Sequence, residues 1–523
     1  VRDNAEDVVK WYPELGGADW GGDRILWVIG NMIEHEMDNE KEARIGRWET
    51  KMEYCERELI DWIRKAEDVE GWSRDRYTSA QQGADAIRSE LNALLSPKNY
   101  PTDSHARQAR RMEATTRARE VTGWVPLDTV KVKGDRLQRI LKQGEGKAPG
   151  VDQWRTEWLG DLPPEAYDAL ADVWNATLEG AALPDIWTKI RVITIPKDDG
   201  GYRGLSVATA LWRACMTATM ELMQEWAENW LSEELYGGIK GRGADALHER
   251  LMGAIDEANR EGDLISGAKI DVRKCFDTVD PDQAITLWEC WGAPTGVVRV
   301  LREFYSRHER WVECQGAVAA VPIGPKRGLL QGCPASAMLL AGIMTVWAET
   351  VRKRVPDINF GAFLDDRTIW ARGLGGHILV RNALNKGRSV DEAFGLEEHP
   401  DKRELFGNKK AALDALQDLA GEGGKVDTTF KLLGINYDCT NRNRVFSKDK
   451  SWKQAERRCW RIKIAVKAAG RRSKYIRSLV LPKVLWGSAW ERPPAKRMSQ
   501  LQTKIERCMR GKDGGERVGT RSR

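Results

Sequence analysis

Apolar residues recur along this chain with two different periods. Ile45, Trp48, Met52, Cys55, Leu59, Trp62 and Ile63 are spaced by three or four, which predicts one face of an amphipathic helix. To about residue 95 the chain reads as charged helices, closed by a loop signal at Ser96-Pro97-Lys98-Asn99-Tyr100-Pro101. Residues 102–123 are polar and arginine-rich, compatible with helix or with loose chain. From Val125 the pattern becomes mixed. Leu162, Ala166, Leu170, Val173, Trp174 and Leu178 predict a helix opened by Pro163-Pro164 and stopped at Gly180. Short apolar runs predict strands over Ile190–Pro196, ended by proline, and over Gly267–Val272, which carries an acid near its end. Phe360–Trp370 reads as two β-prone runs around Asp365-Asp366, and the mixed section closes near Phe430–Ile435. After Thr440 the pattern is helical and basic, as in Arg461-Ile462-Lys463-Ile464-Ala465-Val466-Lys467. Helices and strands in this order predict the α+β class, and no internal repeat is visible.

Composition narrows the reading. At 523 residues, 41% hydrophobic and 31% charged, the chain has a soluble globular balance and is too long for one core. It has no run of eighteen or more apolar residues and no basic-then-apolar start, so neither a membrane span nor secretion is expected. Nine cysteines stand singly and six histidines form no cluster beside them. That pattern supports neither a zinc finger nor a disulfide framework, and fits a reducing intracellular compartment. The first residue is Val1, so a piece of something longer is expected.

Charge changes the picture more. Residues 441–523 hold 25 Lys and Arg against 6 Asp and Glu, a net of +19 in a chain whose total is +5. The rest therefore carries −14 (5 − 19). A basic segment this concentrated exceeds what solubility requires and is a footprint for polyanions such as nucleic acid.

The candidate chemistry is in the acids. Aspartate disfavours strands and favours turns, so Asp365 and Asp366 are expected at a hairpin tip. Two like charges there repel unless a cation neutralises them, and hard carboxylate oxygens suit Mg²⁺, or Mn²⁺ in its place. The plain alternative for an isolated Asp-Asp is a polar turn. A third carboxylate would complete a site for two ions, and Asp271, at the end of its strand, is the candidate. Two divalent ions about 4 Å apart activate an attacking hydroxyl and stabilise the leaving oxygen of an in-line displacement. Gly144-Glu145-Gly146-Lys147-Ala148 lacks the spacer and the Ser or Thr of a phosphate loop and carries no argument.

Several segments together resemble the reverse transcriptases of non-LTR (LINE-type) retrotransposons. Asp271 to Asp277 resembles their first palm motif, and Phe363-Leu364-Asp365-Asp366 resembles Tyr-x-Asp-Asp with Phe for Tyr. Between them Gln331-Gly332-Cys333-Pro334-Ala335-Ser336 resembles Gln-Gly-x-Pro-x-Ser. Lys147-Ala148-Pro149-Gly150-Val151-Asp152 and the stretch from Pro184 to Arg203 are similar to the fingers, with Gln153 where that motif often has Gly. Gly395-Leu396, His399 to Lys402 and Leu432-Leu433-Gly434 match later palm motifs, and Leu479 to Gly487 resembles the thumb. The similarity runs from about 140 to 490, in the family's order.

The resemblance implies a right-hand polymerase: a helical extension over 1–125, fingers and an antiparallel palm over 126–440, and a basic helical thumb and tail over 441–523. It implies an RNA-directed DNA polymerase extending a primer 3′-hydroxyl with dNTPs on an RNA template. Asp271, Asp365 and Asp366 would hold the metals, and Phe276 would exclude a ribose 2′-hydroxyl by steric clash. Lys197 and Arg203 would grip the triphosphate, while Gln331 and Gly332 would line the nucleotide pocket. Lys402 matches a general acid for pyrophosphate release, with a solvated lysine as the alternative. No endonuclease segment is legible, so nicking for integration is expected from a separate activity. Other readings are an inactive nucleic-acid-binding remnant, a group II intron-type maturase, and an RNA polymerase, which Phe276 opposes.

Overall fold

The computed structural model describes residues 56–64, 77, 79–144, 146–196, 202–399, 402–420, 424–440, 449–491 and 493–510. Most of the stripe between Ile45 and Ile63 lies outside these residues, as does Lys197.

The chain divides into two compact units. The first gathers Glu56–Arg64 with the helices Asp449–Ala465, Ala469–Tyr475, Leu481–Leu485 and Ala495–Arg510. Leu59 and Ile63 share its core with Trp452, Cys459, Ile462, Leu479 and Leu501. This is how a strongly basic segment folds: apolar stripes are buried and most of the charge stays outside, while the buried Arg472 donates to the Val466 and Met509 carbonyls.

The second unit is α+β. The helix Pro164–Glu179 has Pro163 at its N-cap and Gly180, at φ +132°, at its C-cap. Its buried side runs through Tyr167, Ala171, Trp174 and Leu178, and Val173 is 48% exposed instead of facing the core. The arginine-rich stretch after residue 102 is helical over Ser104–Ala118, capped by the Asp103 carboxylate on the Ala106 N–H. One sheet joins β1 (Lys189–Pro196), β2 (Tyr202–Val207), β4 (Glu309–Cys314) and β5 (Ala317–Val318) in the order β2-β1-β4-β5. The helix Ala80–Leu95 covers it through Ala84, Ile87 and Leu95 against Val192 and Val312.

The second sheet positions the candidate chemistry. It joins β3 (Ile265–Ile270), β6 (Asn359–Phe363), β7 (Asp366–Arg372), β8 (Glu404–Gly407) and β9 (Lys425–Asp427) in the order β6-β7-β3-β8-β9. Alternation along its strands separates two cores. Ala268, Ile270, Phe360, Ala362, Ile369 and Leu405 face the large core that contains the helix Pro334–Arg354. Ile265, Trp370 and Phe406 face a smaller core with Leu247 and Leu251 of the helix Ala244–Glu261. That smaller core also includes Phe430 and Tyr437 from the hairpin of β10 (Thr429–Leu432) and β11 (Ile435–Asp438).

Pro334–Arg354 is, among the described residues, the one helix long and apolar enough by composition to cross a membrane. Its most apolar window is 78% buried inside the protein, so its apolarity is that of a core helix. Proline suits its first turn, where an N–H would have no acceptor within the helix, and Arg352-Lys353-Arg354 in its last turn suit the negative end of the helix dipole.

Candidate active site

β6 and β7 pair antiparallel with Phe363 opposite Asp366, leaving Leu364 and Asp365 as a two-residue tip. Such tight tips require positive φ and normally take glycine, yet here Leu364 has φ +56°. The neighbouring backbone holds it there. Glu234 and Tyr236 bond Ala362, through Glu234 O to Ala362 N at 2.9 Å and Tyr236 N to Ala362 O at 2.8 Å. Gly237 then presses on the tip: a Cβ at that position would lie 2.5 Å from Leu364 N and 2.8 Å from the Phe363 carbonyl carbon. Gly237 was not among the sequence candidates. Its only sequence signal is the Gly237-Gly238 pair, which reads as a turn.

Asp271 meets this tip through the sheet register. β3 pairs antiparallel with β7, ending at Ile270 opposite Arg367. One step further Asp271 stands opposite Asp366, and directly opposed residues share a face. The three aspartates are therefore gathered at one end of the sheet. Asp366 shows the result electrostatically: burial pushes its carboxyl up to about 6, with Asp365 and Asp271 adding to the rise. Lys269 and Lys402 oppose it. Lys402 donates to Asp271 Oδ2 at 3.0 Å, and Lys269 to Glu404 Oε2 at 3.0 Å. Lys269 and Glu404 also escaped the sequence reading, although the two-residue period of β3 puts Lys269 on the face of Asp271.

Among the described residues no group of three or more His, Cys, Asp or Glu side chains is already drawn together tightly enough to hold a metal ion. The Lys402 ammonium supplies a positive charge at Asp271. The donor chemistry nevertheless fits a divalent ion: hard carboxylates only, with Asp365 and Asp271 near enough to add to the rise that burial gives the Asp366 carboxyl.

The other candidates are partly assembled. Phe276 lies on the short helix Cys275–Thr278, half-buried, and its carbonyl accepts from Leu329 N at 2.7 Å. Gln331 O accepts from Ser206 N at 3.1 Å, so the segment 328–332 bridges Phe276 and the end of β2. Gly332 has φ +118°, and a Cβ there would lie 2.6 Å from Ser206 O. Glycine is thus already required by the approach of the chain's own backbone. Arg203 is a β2 residue opposite Ile195, its side chain outside the described atoms, and Lys197 is outside the described residues altogether. Gln153, where glycine was noted as usual, has φ +57°.

A buried cation steadies the 328–332 segment from behind. Arg310 of β4, 3% exposed, donates to Gly328 O at 2.8 Å and through Nε to His308 Nε2 at 3.3 Å. Burial, with Arg310 adding to it, lowers the His308 pKa to about 3, so the ring is neutral and Nδ1 donates to Tyr305 O.

The sheet that gathers the three aspartates at one end is mixed, not wholly antiparallel as the resemblance implied: β6, β7, β3 and β8 alternate in direction, while β8 and β9 run parallel. Residues 195–437 match the reverse transcriptase (RNA-dependent DNA polymerase) family, whose members use divalent metal ions. The chain is also similar to the RNA-directed DNA polymerase from mobile element jockey of Drosophila melanogaster, 22% identical over 349 residues. That similarity covers 63% of this chain and 35% of the relative, so the chain spans about a third of that protein's length. The match to the reverse transcriptase family thus takes in a little under half of this chain, including the segment that carries Asp271, Asp365 and Asp366.

Proposed function

We propose that this protein is an RNA-directed DNA polymerase that extends a primer 3′-hydroxyl with dNTPs on an RNA template. The observation that carries the reading is the β3–β7 register, which brings Asp271 opposite Asp366 beside Asp365. These three aspartates would hold two Mg²⁺ ions, or Mn²⁺ in their place. Bound there, the ions supply charge stabilisation for the attacking and leaving oxygens of an in-line displacement at the α-phosphorus. Phe276, tied to the 328–332 segment through Leu329, would set the width of the sugar pocket and turn away a 2′-hydroxyl. Gln331 and Gly332 would line that pocket, while Lys197 and Arg203 would bind the triphosphate. Lys402, which donates to Asp271, would give its proton to the departing pyrophosphate.

In this reading the five-stranded sheet is the palm, the segments before it supply the fingers, and the basic helices after residue 440 are the thumb. The +19 net charge of residues 441–523 would hold the template–primer duplex through its phosphates, and binding would weaken steeply with salt. The test is dNTP incorporation on an RNA template with a DNA primer in Mg²⁺, comparing wild type with Asp365→Asn. Incorporation that collapses in the variant supports the reading. Salt-sensitive binding of template–primer without incorporation by either protein would identify an inactive nucleic-acid-binding remnant.

A further inference from the structure

Arg367 follows Asp366 directly on β7, so the two-residue period sends its side chain through the sheet, away from the acids. It arrives in the core, with 1% of the side chain exposed. Its guanidinium donates two parallel bonds to Asp391 of the helix Gly376–Ala393, Nη1 to Oδ1 and Nη2 to Oδ2, both 2.8 Å. It also lies over the Trp347 ring, 5.1 Å from the centroid, and its Nε meets no acceptor. Asp391 is itself 8% exposed. Neither charge has water to fall back on, so each depends on the other.

The location gives this pair a consequence for the acids. Burial pushes the Cys275 thiol up, and Asp365, Arg367 and Asp391 all lie within electrostatic reach of it. The cations that bear on Asp366 are Lys269 and Lys402. Arg367 lies on the opposite face of β7, in its ion pair with Asp391. A guanidinium freed of that match would stand behind the aspartates in a low-dielectric interior and repel any divalent cation in front of them.

We propose that Asp391 is a positioning and charge-compensating residue of the acid site: by neutralising Arg367 it preserves the affinity of Asp271, Asp365 and Asp366 for divalent cations. The inference rests on those three aspartates holding the cation, and the experiment separates the two claims. Mn²⁺ binding to the full chain is measured by electron paramagnetic resonance of the free ion, without substrate or turnover. Asp365→Asn is the control for the site, and its failure to weaken Mn²⁺ binding would overturn the cation-holding reading itself. With that control satisfied, Asp391→Asn is expected to weaken Mn²⁺ about tenfold, the order of effect of one uncompensated charge at short range. Arg367→Met breaks the same ion pair from the other side but removes the positive charge, so Mn²⁺ affinity should be unchanged or tighter. The neutral double variant Arg367→Met/Asp391→Leu should return to within about twofold of wild type, and it keeps the test open if Asp391→Asn does not fold. Equal loss of affinity in Arg367→Met and Asp391→Asn would make the pair a structural clamp only and overturn the proposal. So would a double variant that binds Mn²⁺ as weakly as Asp391→Asn.

Discussion

Replacing Asp366 by asparagine should stabilise the protein in the absence of metal. Asp366 is half-buried beside Asp365 and Asp271, and its pKa rises from 3.8 to about 6. A carboxyl raised in the native state holds its proton more tightly there than in the unfolded chain. The native state therefore gains relative stability below pH 3.8, and that advantage is lost as the pH climbs through about 6. Above that window the ionised carboxylate is a burden of about 3 kcal/mol at face value. Partial exposure to solvent screens it, and about 1–2 kcal/mol is the realistic size. Asparagine keeps the shape and removes the charge. In chelator at about pH 7.5 the variant should melt a few degrees above wild type, and near pH 4 the gap should close. Saturating Mg²⁺ should narrow it as well, because binding to the native state stabilises only the protein that retains the site. Thermal unfolding followed by circular dichroism at both pH values, with and without Mg²⁺, gives all of these numbers. A lower melting temperature for Asp366→Asn at pH 7.5, or a gain of the same size at both pH values, would refute the electrostatic account.

Three other perturbations follow from the geometry. Gly237→Ala would place a methyl 2.5 Å from Leu364 N and shift the acid hairpin, so dNTP incorporation should fall by about a hundredfold while circular dichroism changes little. Gly332→Ala combines φ +118° with a 2.6 Å clash on Ser206 O, and should cost at least about 2 kcal/mol in a denaturant titration. Arg310→Met leaves Gly328 O and His308 Nε2 without their donor in a buried setting. A loss of about 1–3 kcal/mol is expected, together with a higher KM for dNTP; unchanged stability would show that the carbonyl finds another donor.

Much of the site was legible in the linear chain because it depends on local rules. Paired aspartates between β-prone runs define a hairpin tip, with the refinement that Asp366 opens β7 and Leu364 shares the tip. Proline and glycine at its ends delimited the helix Pro164–Glu179, and charge counting isolated a basic segment whose described helices fall in the first unit, although Trp486–Pro494 belongs to the second. Strand alternation even required Arg367 to face away from Asp366. Tertiary structure alone decided the rest. Asp271 stands opposite Asp366 only because β3 inserts beside β7, a pairing between distant segments set by the fit of two cores on the sheet. Gly237 at the hairpin tip comes from a distant segment, and Asp391 behind Arg367 and Arg310 beneath Gly328 come from other elements of the fold. Periodicity specifies which face a residue takes. Which residue meets it there depends on long-range packing, where a buried charge or a close backbone approach admits only a matching partner.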